Sequence, residues 1–210
     1  MVDASLETRP ALIRQALRLE ALTIGWNVLE AVIAIVAGAF AGSIALVGFG
    51  LDSVIETVAA TTLYRRLTSE SKGASTEEIE RKEERALRIV GWTFLVLAAY
   101  VAYQAGRTLW LQQAPEESGI GIALAAVSLV VMPILAIAKL RTGRSLGSRA
   151  LIADAKETFV CSYLSLSLLL GLGANLLFGA WWADPVAALM MVPWVTKEGI
   201  EALRAEGCTD

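Results

Sequence analysis

The sequence predicts an all-α fold, a bundle of six transmembrane helices, and three observations lead to this prediction. Hydrophobic residues make up 56% of the 210 residues and charged residues only 19%, whereas a soluble domain is usually about half apolar and about a quarter charged. The charges are bunched, and six apolar segments lie between the bunches. Each segment has the roughly 20 residues of helix that a bilayer core about 30 Å thick requires.

The predicted elements follow the chain in order. The six spans cover about residues 20–41, 43–64, 88–110, 119–140, 151–177 and 184–203. Residues 1–18 are expected to form an amphipathic helix on the inner membrane face, and residues 205–210 a short cytoplasmic tail. In the hydrophilic cytoplasmic loop, residues 65–87, Ser75 and Glu78 fit a capping box. We therefore expect the third helix to begin inside this loop and to run unbroken into the bilayer.

The basic residues predict the orientation. They cluster before span one, between spans two and three, between spans four and five, and after span six (Arg9, Arg14, Arg18; Arg65 to Arg88; Lys139, Arg141, Arg144, Arg149; Lys197, Arg204). The segments "LQQAPEESGIG" and "GAWWADP" on the opposite side contain no Lys or Arg. The positive-inside rule therefore places both termini in the cytoplasm of a multi-pass protein of the inner or plasma membrane.

Several other classes of protein are disfavoured. "AGAFAGS" resembles a signal-peptide cleavage site, but the apolar run before it is too long and carries Asn27 and Glu30. Cys161, inside a span, and Cys208, in the tail, are not expected to form a disulfide. The net charge of −3, with no basic stripe, gives no support to a nucleic-acid partner.

Four polar residues at matched depths predict a site inside the membrane. Asp52 and Glu56 in span two, and Glu157 and Cys161 in span five, are each spaced i, i+4 and so share a helix face. Span two descends from the outside, which puts Asp52 roughly 14 Å below the outer edge, while Cys161 lies roughly 15 Å above the inner edge. Glu56 and Glu157 then meet about one turn closer to the cytoplasm.

The charge of these residues indicates their chemistry. Three ionised carboxylates at this depth cost on the order of 8–10 kcal/mol. We expect no Lys or Arg at membrane depth to neutralise them, since Lys156 lies near the inner edge and its side chain can extend outward. A divalent cation would neutralise the acids and release protons. The alternatives are a hydrogen-bonded cluster of protonated acids and, for Cys161, a small buried hydrophobe.

Three motifs resemble one transporter family. "GSIALVGFGLDSVIE" resembles the second-span motif of the cation diffusion facilitator family, metal/proton antiporters with six transmembrane helices. "ADAKETFVC" resembles its fifth-span motif, Ala-Asp-x-x-His-x-x-x-Asp, and "WADPVAAL" is similar to its sixth span. The resemblance implies that Asp52, Glu56, Glu157 and Cys161 occupy the ligand positions. It also implies a homodimer, here held by membrane helices.

The chain departs from the family pattern at several points. Phe49 stands where the family usually has Asp, whereas the equivalent Asp154 in span five is retained. Because the chain contains no His, the site would consist of three carboxylates and a thiol. Only a few residues follow span six, so we expect the family's C-terminal cytoplasmic domain to be lacking.

The predicted cargo depends on the thiol. A thiolate favours Zn²⁺ or Cd²⁺, and an all-oxygen site suits Mn²⁺ or Fe²⁺. We rank Zn²⁺ first, Cd²⁺ second, and Mn²⁺ or Fe²⁺ after them, with no prosthetic group and no catalytic residue. Glu30, with Asn27 a turn below, either lines the cation path or relays protons, or only bonds a neighbouring helix. Asp154 either lies on the approach path or supports Glu157.

The predicted function is export of a divalent metal cation from the cytoplasm in exchange for protons. The alternatives are a membrane sensor or scaffold that binds metal without transporting it, and an Mn²⁺ or Fe²⁺ exporter of the same fold. A channel is disfavoured, because three acids around one ion suggest binding too tight for fast permeation.

Overall fold

The structure, a computed structural model, describes residues 3–41, 44–112, 119–178 and 180–204. Within these ranges every regular element is an α-helix, which confirms the predicted all-α class. The six helices are α1 (Asp3–Ala41), α2 (Ile44–Ser71), α3 (Thr76–Leu111), α4 (Gly119–Leu146), α5 (Arg149–Phe178) and α6 (Ala183–Arg204). The predicted tail, with Cys208, lies outside the described residues.

Four helices are long and apolar enough to cross a membrane when the described residues are considered. These are α1 over Arg9–Phe40, α2 over Leu46–Ser71, and the whole of α3 and α4. Helices α5 and α6 are not among them, and each contains residues whose side chains are outside the description. Large apolar side chains such as Phe40, Tyr103 and Trp110 are exposed on the bundle. Such a surface fits lipid rather than water, and the six-span topology stays a prediction.

The helices extend beyond the predicted spans. Helix α1 is continuous from residue 3 to residue 41, so the predicted lead-in and span one form one helix. Of the predicted loop 65–87, only residues 72–75 are not helical. Ser75 is the N-cap of α3, and its Oγ accepts from the Glu78 backbone N at 3.2 Å. The Ser75 half of the predicted capping box is therefore confirmed, whereas the Glu78 carboxylate accepts from Lys82 Nζ at 2.6 Å.

The packing order brings α2 and α5 together. Helix α1 packs on α2 and α4, α4 packs on α5, and α2 contacts α5, whereas α3 packs mainly on α6. Two glycines allow the close approach of α3 and α6, because a Cβ on Gly91 would lie 3.0 Å from the Gly199 carbonyl oxygen. The buried faces of α2 and α5 thus lie side by side, with α1 and α4 beside them.

A cluster of buried charge joins α2, α3 and the start of α5. Glu83 Oε2 on α3 lies 2.6 Å from Arg66 Nε on α2, and Arg66 Nη1 lies 2.6 Å from Glu70 Oε2. Glu83 Oε1 also accepts from the Ala150 backbone N at 2.8 Å and from Ser148 Oγ at 3.0 Å. The first backbone N–H groups of a helix have no hydrogen-bond acceptor within that helix. The Glu83 carboxylate, which belongs to α3, provides an acceptor for one of these groups at the N-terminus of α5.

Gly50 provides a test of the α1–α2 contact. A Cβ at this position would lie 2.7 Å from Ile35 Cγ1, 3.0 Å from Ile35 N and 3.1 Å from Ala31 O. Because two of these atoms are backbone, Gly50→Ala must push the helices apart, and we expect a loss of about 1–3 kcal/mol in unfolding free energy. Unfolding in mixed detergent and dodecyl sulfate micelles measures it.

The matched control is Gly106→Ala in α3, where a Cβ would meet nothing within 4 Å. Alanine is the better helix former, so this variant is expected to be neutral or more stable by up to about 1 kcal/mol. Equal unfolding midpoints for the two variants would contradict the close contact at Gly50.

Candidate metal site

The four predicted ligands are all buried at the α2–α5 contact. Asp52, Glu56, Glu157 and Cys161 are each no more than 4% exposed. Cys161 Sγ donates to Asp52 Oδ2 at 3.1 Å, so the structure brings this predicted pair into direct contact. Both residues lie in the middle part of their helices. The i, i+4 spacing puts Glu56 on the same face of α2 as Asp52, and Glu157 on the same face of α5 as Cys161.

The other two acids are close to this pair but have different surroundings. Thr158 Oγ1 donates to Glu56 Oε1 at 2.7 Å, whereas Glu56 Oε2 has no hydrogen bond within the described residues. Neither oxygen of Glu157 makes a hydrogen bond there; the nearby Thr93 hydroxyl donates to the Val90 carbonyl oxygen. Glu157 lies within electrostatic range of both Glu56 and Asp52.

The four residues are neighbours rather than a closed coordination shell. Among the residues that the structure describes, no three Cys, Asp or Glu side chains are grouped so that they could hold one ion. To gather around a cation, Glu56 and Glu157 must turn toward the Asp52–Cys161 pair. Glu56 Oε2 and both carboxylate oxygens of Glu157 make no hydrogen bond among the described residues, so turning these three atoms breaks none.

A lysine lies beside these acids, contrary to the prediction. Lys139 is 0% exposed, and its Nζ lies 2.5 Å from Asp154 Oδ2 and 3.4 Å from Glu20 Oε2. The sequence predicts no basic residue at this depth, and the structure places Lys139 there. Its ion pairs within the described residues are with Asp154 and Glu20 rather than with Asp52, Glu56 or Glu157. Helix α4 continues to Leu146, two turns beyond Lys139, so the side chain lies inside the helix contact instead of at its end.

Asp154 has a role that the sequence analysis did not anticipate. It pairs with Lys139, whose Nζ also donates to Thr158 Oγ1 at 3.4 Å, and the same hydroxyl donates to Glu56. Sequence reasoning missed Lys139, Glu20 and Thr158. Thr158 follows Asp154 by four residues, and this spacing on one face could have indicated it; nothing local to Lys139 or Glu20 indicates their pairing.

Two of the three candidate pathway or supporting residues, Glu30 and Asn27, lie on α1. Glu30 is 2% exposed, and its Oε2 accepts from Ser53 Oγ at 2.8 Å, directly beside Asp52 in α2. Asn27 is fully buried, and its side-chain atoms have no hydrogen bond within the described part of the chain. The bond to Ser53 is compatible with either predicted role of Glu30. It connects α1 to α2 at the level of the Asp52–Cys161 pair.

The comparison with known families finds a match over most of the chain. The model of the cation efflux transmembrane domain matches residues 21–206. The chain belongs to the cation efflux family. The family resemblance inferred from the motifs of spans two and five is thereby confirmed. This family is one of cation efflux transporters and not of enzymes.

The relatives of this cation efflux protein include both bacterial and animal proteins. It is 30% identical over 194 residues to a probable cation efflux system protein of Mycobacterium tuberculosis, and the matched region covers 90% of this chain and 57% of that protein. It is 26% identical over 161 residues to transmembrane protein 163 of Xenopus laevis, and the matched region covers 74% of this chain and 56% of that protein. The cation efflux protein thus spans little more than half the length of these relatives.

Membership of the cation efflux family makes the buried carboxylates and thiol of α2 and α5 candidates for binding a cation. Because the chain contains no His, carboxylate oxygens and thiol sulfur are the side-chain ligands that it can offer a metal ion within an apolar bundle. In the described part of this cation efflux protein, a carboxylate contacts a thiol at the meeting of α2 and α5, with two further acids beside them. This is the candidate metal site.

Proposed function

We propose that the protein exports a divalent transition-metal cation from the cytoplasm across the inner or plasma membrane in exchange for protons, with Zn²⁺ as the first candidate and Cd²⁺ as the second. Asp52, Glu56, Glu157 and Cys161 would bind the cation, and a homodimer formed by membrane helices is part of the same proposal. The observation that carries it is the 3.1 Å contact between Cys161 Sγ and Asp52 Oδ2, in a chain of the cation efflux family.

The geometry of this pair suits zinc. With bonds of about 2.3 Å to sulfur and 2.0–2.2 Å to oxygen, two ligands of a tetrahedral zinc ion lie about 3.6 Å apart. The observed 3.1 Å separation needs only a small rotation of either side chain. Glu157 can join this pair without breaking a hydrogen bond, since neither of its oxygens makes one among the described residues, and Glu56 is the fourth ligand.

The contact also supports the coupling to protons. The thiol donates its hydrogen to Asp52, and a cysteine binds a metal as the thiolate. Metal capture therefore displaces this proton, and protons arriving from the outside displace the metal. Alternating exposure of the site to the two sides, with the bundle halves rocking against each other, converts this competition into antiport.

One observation favours a second candidate, an Mn²⁺ or Fe²⁺ exporter of the same fold. Cys161 packs against Met132 and Leu135 of α4, as a small apolar side chain would. If it only packs there, Asp52, Glu56 and Glu157 form an all-oxygen site, which suits these metals.

Transport into proteoliposomes tests the proposed function. The full chain is reconstituted with a metal-sensitive dye and a pH dye inside, and a proton gradient is imposed. Zn²⁺, Cd²⁺, Mn²⁺ and Fe²⁺ are then compared. Zinc flux with proton movement in the opposite direction is expected. Metal binding without flux would instead identify a sensor or scaffold, and metal flux without proton movement would exclude the antiport.

Cys161→Ser tests the choice of metal. Because a hydroxyl replaces the soft sulfur ligand, we expect the ratio of Zn²⁺ to Mn²⁺ flux to fall by about tenfold or more. The matched control is Ser165→Ala, one turn further along α5, which removes a buried hydroxyl that donates to the Cys161 carbonyl oxygen at 3.0 Å. An unchanged ratio in Cys161→Ser would mean that the thiol only packs, and the second candidate would replace the first.

A further inference from the structure

Lys139 is a fully buried cation that the proposed transport mechanism does not use. Its ammonium joins three helices, since it lies 2.5 Å from Asp154 on α5 and 3.4 Å from Glu20 on α1 while belonging to α4. We call Glu20, Lys139 and Asp154 the ion triad. A buried charge needs such partners, but the partners by themselves do not explain why a cation is present beside a group of acids proposed to bind metal.

The triad reaches the proposed site through one hydroxyl. Lys139 Nζ lies 3.4 Å from Thr158 Oγ1, and an ammonium group only donates hydrogen bonds, so the hydroxyl accepts here. The single hydrogen of Thr158 faces two acceptors, Glu56 Oε1 at 2.7 Å and the Asp154 carbonyl oxygen at 3.1 Å. The shorter contact is to Glu56. Because Lys139 donates to the Thr158 oxygen, the hydrogen of this hydroxyl points away from the ammonium, and Glu56 Oε1 is the nearer of its two acceptors.

Two consequences follow for a cation that enters the site. Glu56 Oε1 is already engaged by Thr158, so this oxygen must leave the hydroxyl before it can bind metal. In addition, the Lys139 ammonium lies only two hydrogen bonds away from Glu56. A divalent ion bound by Glu56 experiences repulsion from this fixed positive charge, and the repulsion is strong in a medium of low dielectric constant.

We propose that Lys139 is a positioning residue that competes with the transported cation. It holds Asp154 directly and Glu56 through Thr158, and thereby lowers the affinity of the site for metal, so that the cation can be released. The inference rests on the proposed function. It adds that the affinity of the four-ligand site for metal is limited by the positive charge of Lys139. A transporter needs this limit, because ions held too tightly do not leave.

Metal binding and transport by matched variants test the inference. Zn²⁺ binding to the detergent-solubilised full chain is measured by calorimetry, and Zn²⁺ flux in proteoliposomes gives KM and kcat. Lys139→Met removes the charge at similar length, and we expect the Kd for Zn²⁺ to fall by about tenfold or more, with KM and kcat falling together. Lys139→Arg keeps the charge and is expected to remain within about threefold of wild type.

Thr158→Val is the second variant, because Lys139→Met leaves two buried acids without their partner and can fail to fold. Valine has nearly the same shape as threonine, and the pairing of Lys139 with Asp154 and Glu20 stays intact. Loss of the hydroxyl frees Glu56, and the Kd for Zn²⁺ is expected to fall by about two- to tenfold.

Two results separate the inference from the proposed function. If wild type transports zinc but folded Lys139→Met or Thr158→Val binds it no tighter, Lys139 has only a structural role and the inference is overturned. If Lys139→Met does not fold, the affinity of Thr158→Val decides. If wild type neither binds nor moves any of the four metals, the proposed function itself fails, and the inference fails with it.

Discussion

Replacing Asp52 with Asn is expected to lower metal flux by about 100-fold or more, since even groups that only orient metal ligands contribute 10- to 100-fold. The substitution removes one negative charge and almost no volume. The amide oxygen can still accept from Cys161 Sγ, which lies 3.1 Å from the carboxylate in the wild type. The fold should therefore survive while the proposed site loses a charged ligand.

Ligand-linked stability gives an independent measure of the same change. A metal that binds only the folded protein stabilises it by about 2.7 kcal/mol at a concentration 100 times its Kd. We expect Zn²⁺ to raise the thermal unfolding temperature of wild type and to leave that of Asp52→Asn unchanged. Circular dichroism of both proteins without metal checks that the helix content is equal.

The control is Glu201→Gln, an exposed carboxylate in the last turns of α6, where the side chain is 51% accessible. It changes the net charge by the same amount as Asp52→Asn and should transport like wild type. Wild-type flux and a normal zinc-dependent shift in Asp52→Asn would show that metal passes through the bundle without this carboxylate. The site proposed at α2 and α5 would then be wrong.

Glu83→Ala is expected to have the largest effect on stability, a loss of about 3–5 kcal/mol of unfolding free energy, as when one partner of a buried ion pair is removed. Glu83 is buried, and its carboxylate lies 2.6 Å from Arg66 Nε. The same carboxylate accepts from the Ala150 backbone N and from Ser148 Oγ. Alanine leaves Arg66 with Glu70 as its partner and removes the bond to the first turn of α5.

Unfolding in mixed detergent and dodecyl sulfate micelles, followed by circular dichroism, measures this loss. Glu78→Ala is the matched control on the same helix. Glu78 pairs with Lys82 at 2.6 Å in a partly exposed position, and such surface pairs contribute little to stability because solvent screens them. Equal losses of unfolding free energy for Glu83→Ala and Glu78→Ala would show that Glu83 does not hold α5. Glu83→Gln keeps an acceptor for the Ala150 N–H, so its loss is expected to lie between those of the two alanine variants.

The local features of the helices could be read from the sequence. Ser75 and Glu78 indicated the start of α3, and the cap is present with the predicted backbone bond. The apolar segments indicated all six helices, but not their ends, since α2 runs to Ser71 and α3 starts at Thr76. Hydropathy marks the part of a helix that contacts lipid. The hydrogen-bonded helix continues for as long as its residues favour it.

The arrangement of the proposed site was partly predictable from the sequence. The i, i+4 spacing placed Asp52 with Glu56 and Glu157 with Cys161, and the opposite directions of the two helices matched Asp52 to Cys161 in depth. Periodicity and helix rise are local properties, and they were sufficient for this pair.

The sequence by itself determined the helical class, the apolar segments, the cap of α3 and the facing positions of Asp52 and Cys161. Only the tertiary structure decided that Lys139 binds Asp154 and Glu20, that Thr158 donates to Glu56, and that Glu83 caps α5. A lysine near the end of an apolar run is ordinarily an interface residue. Whether it is buried instead depends on which helices pack against it, and contacts between helices far apart in the chain leave no periodic signal in the sequence.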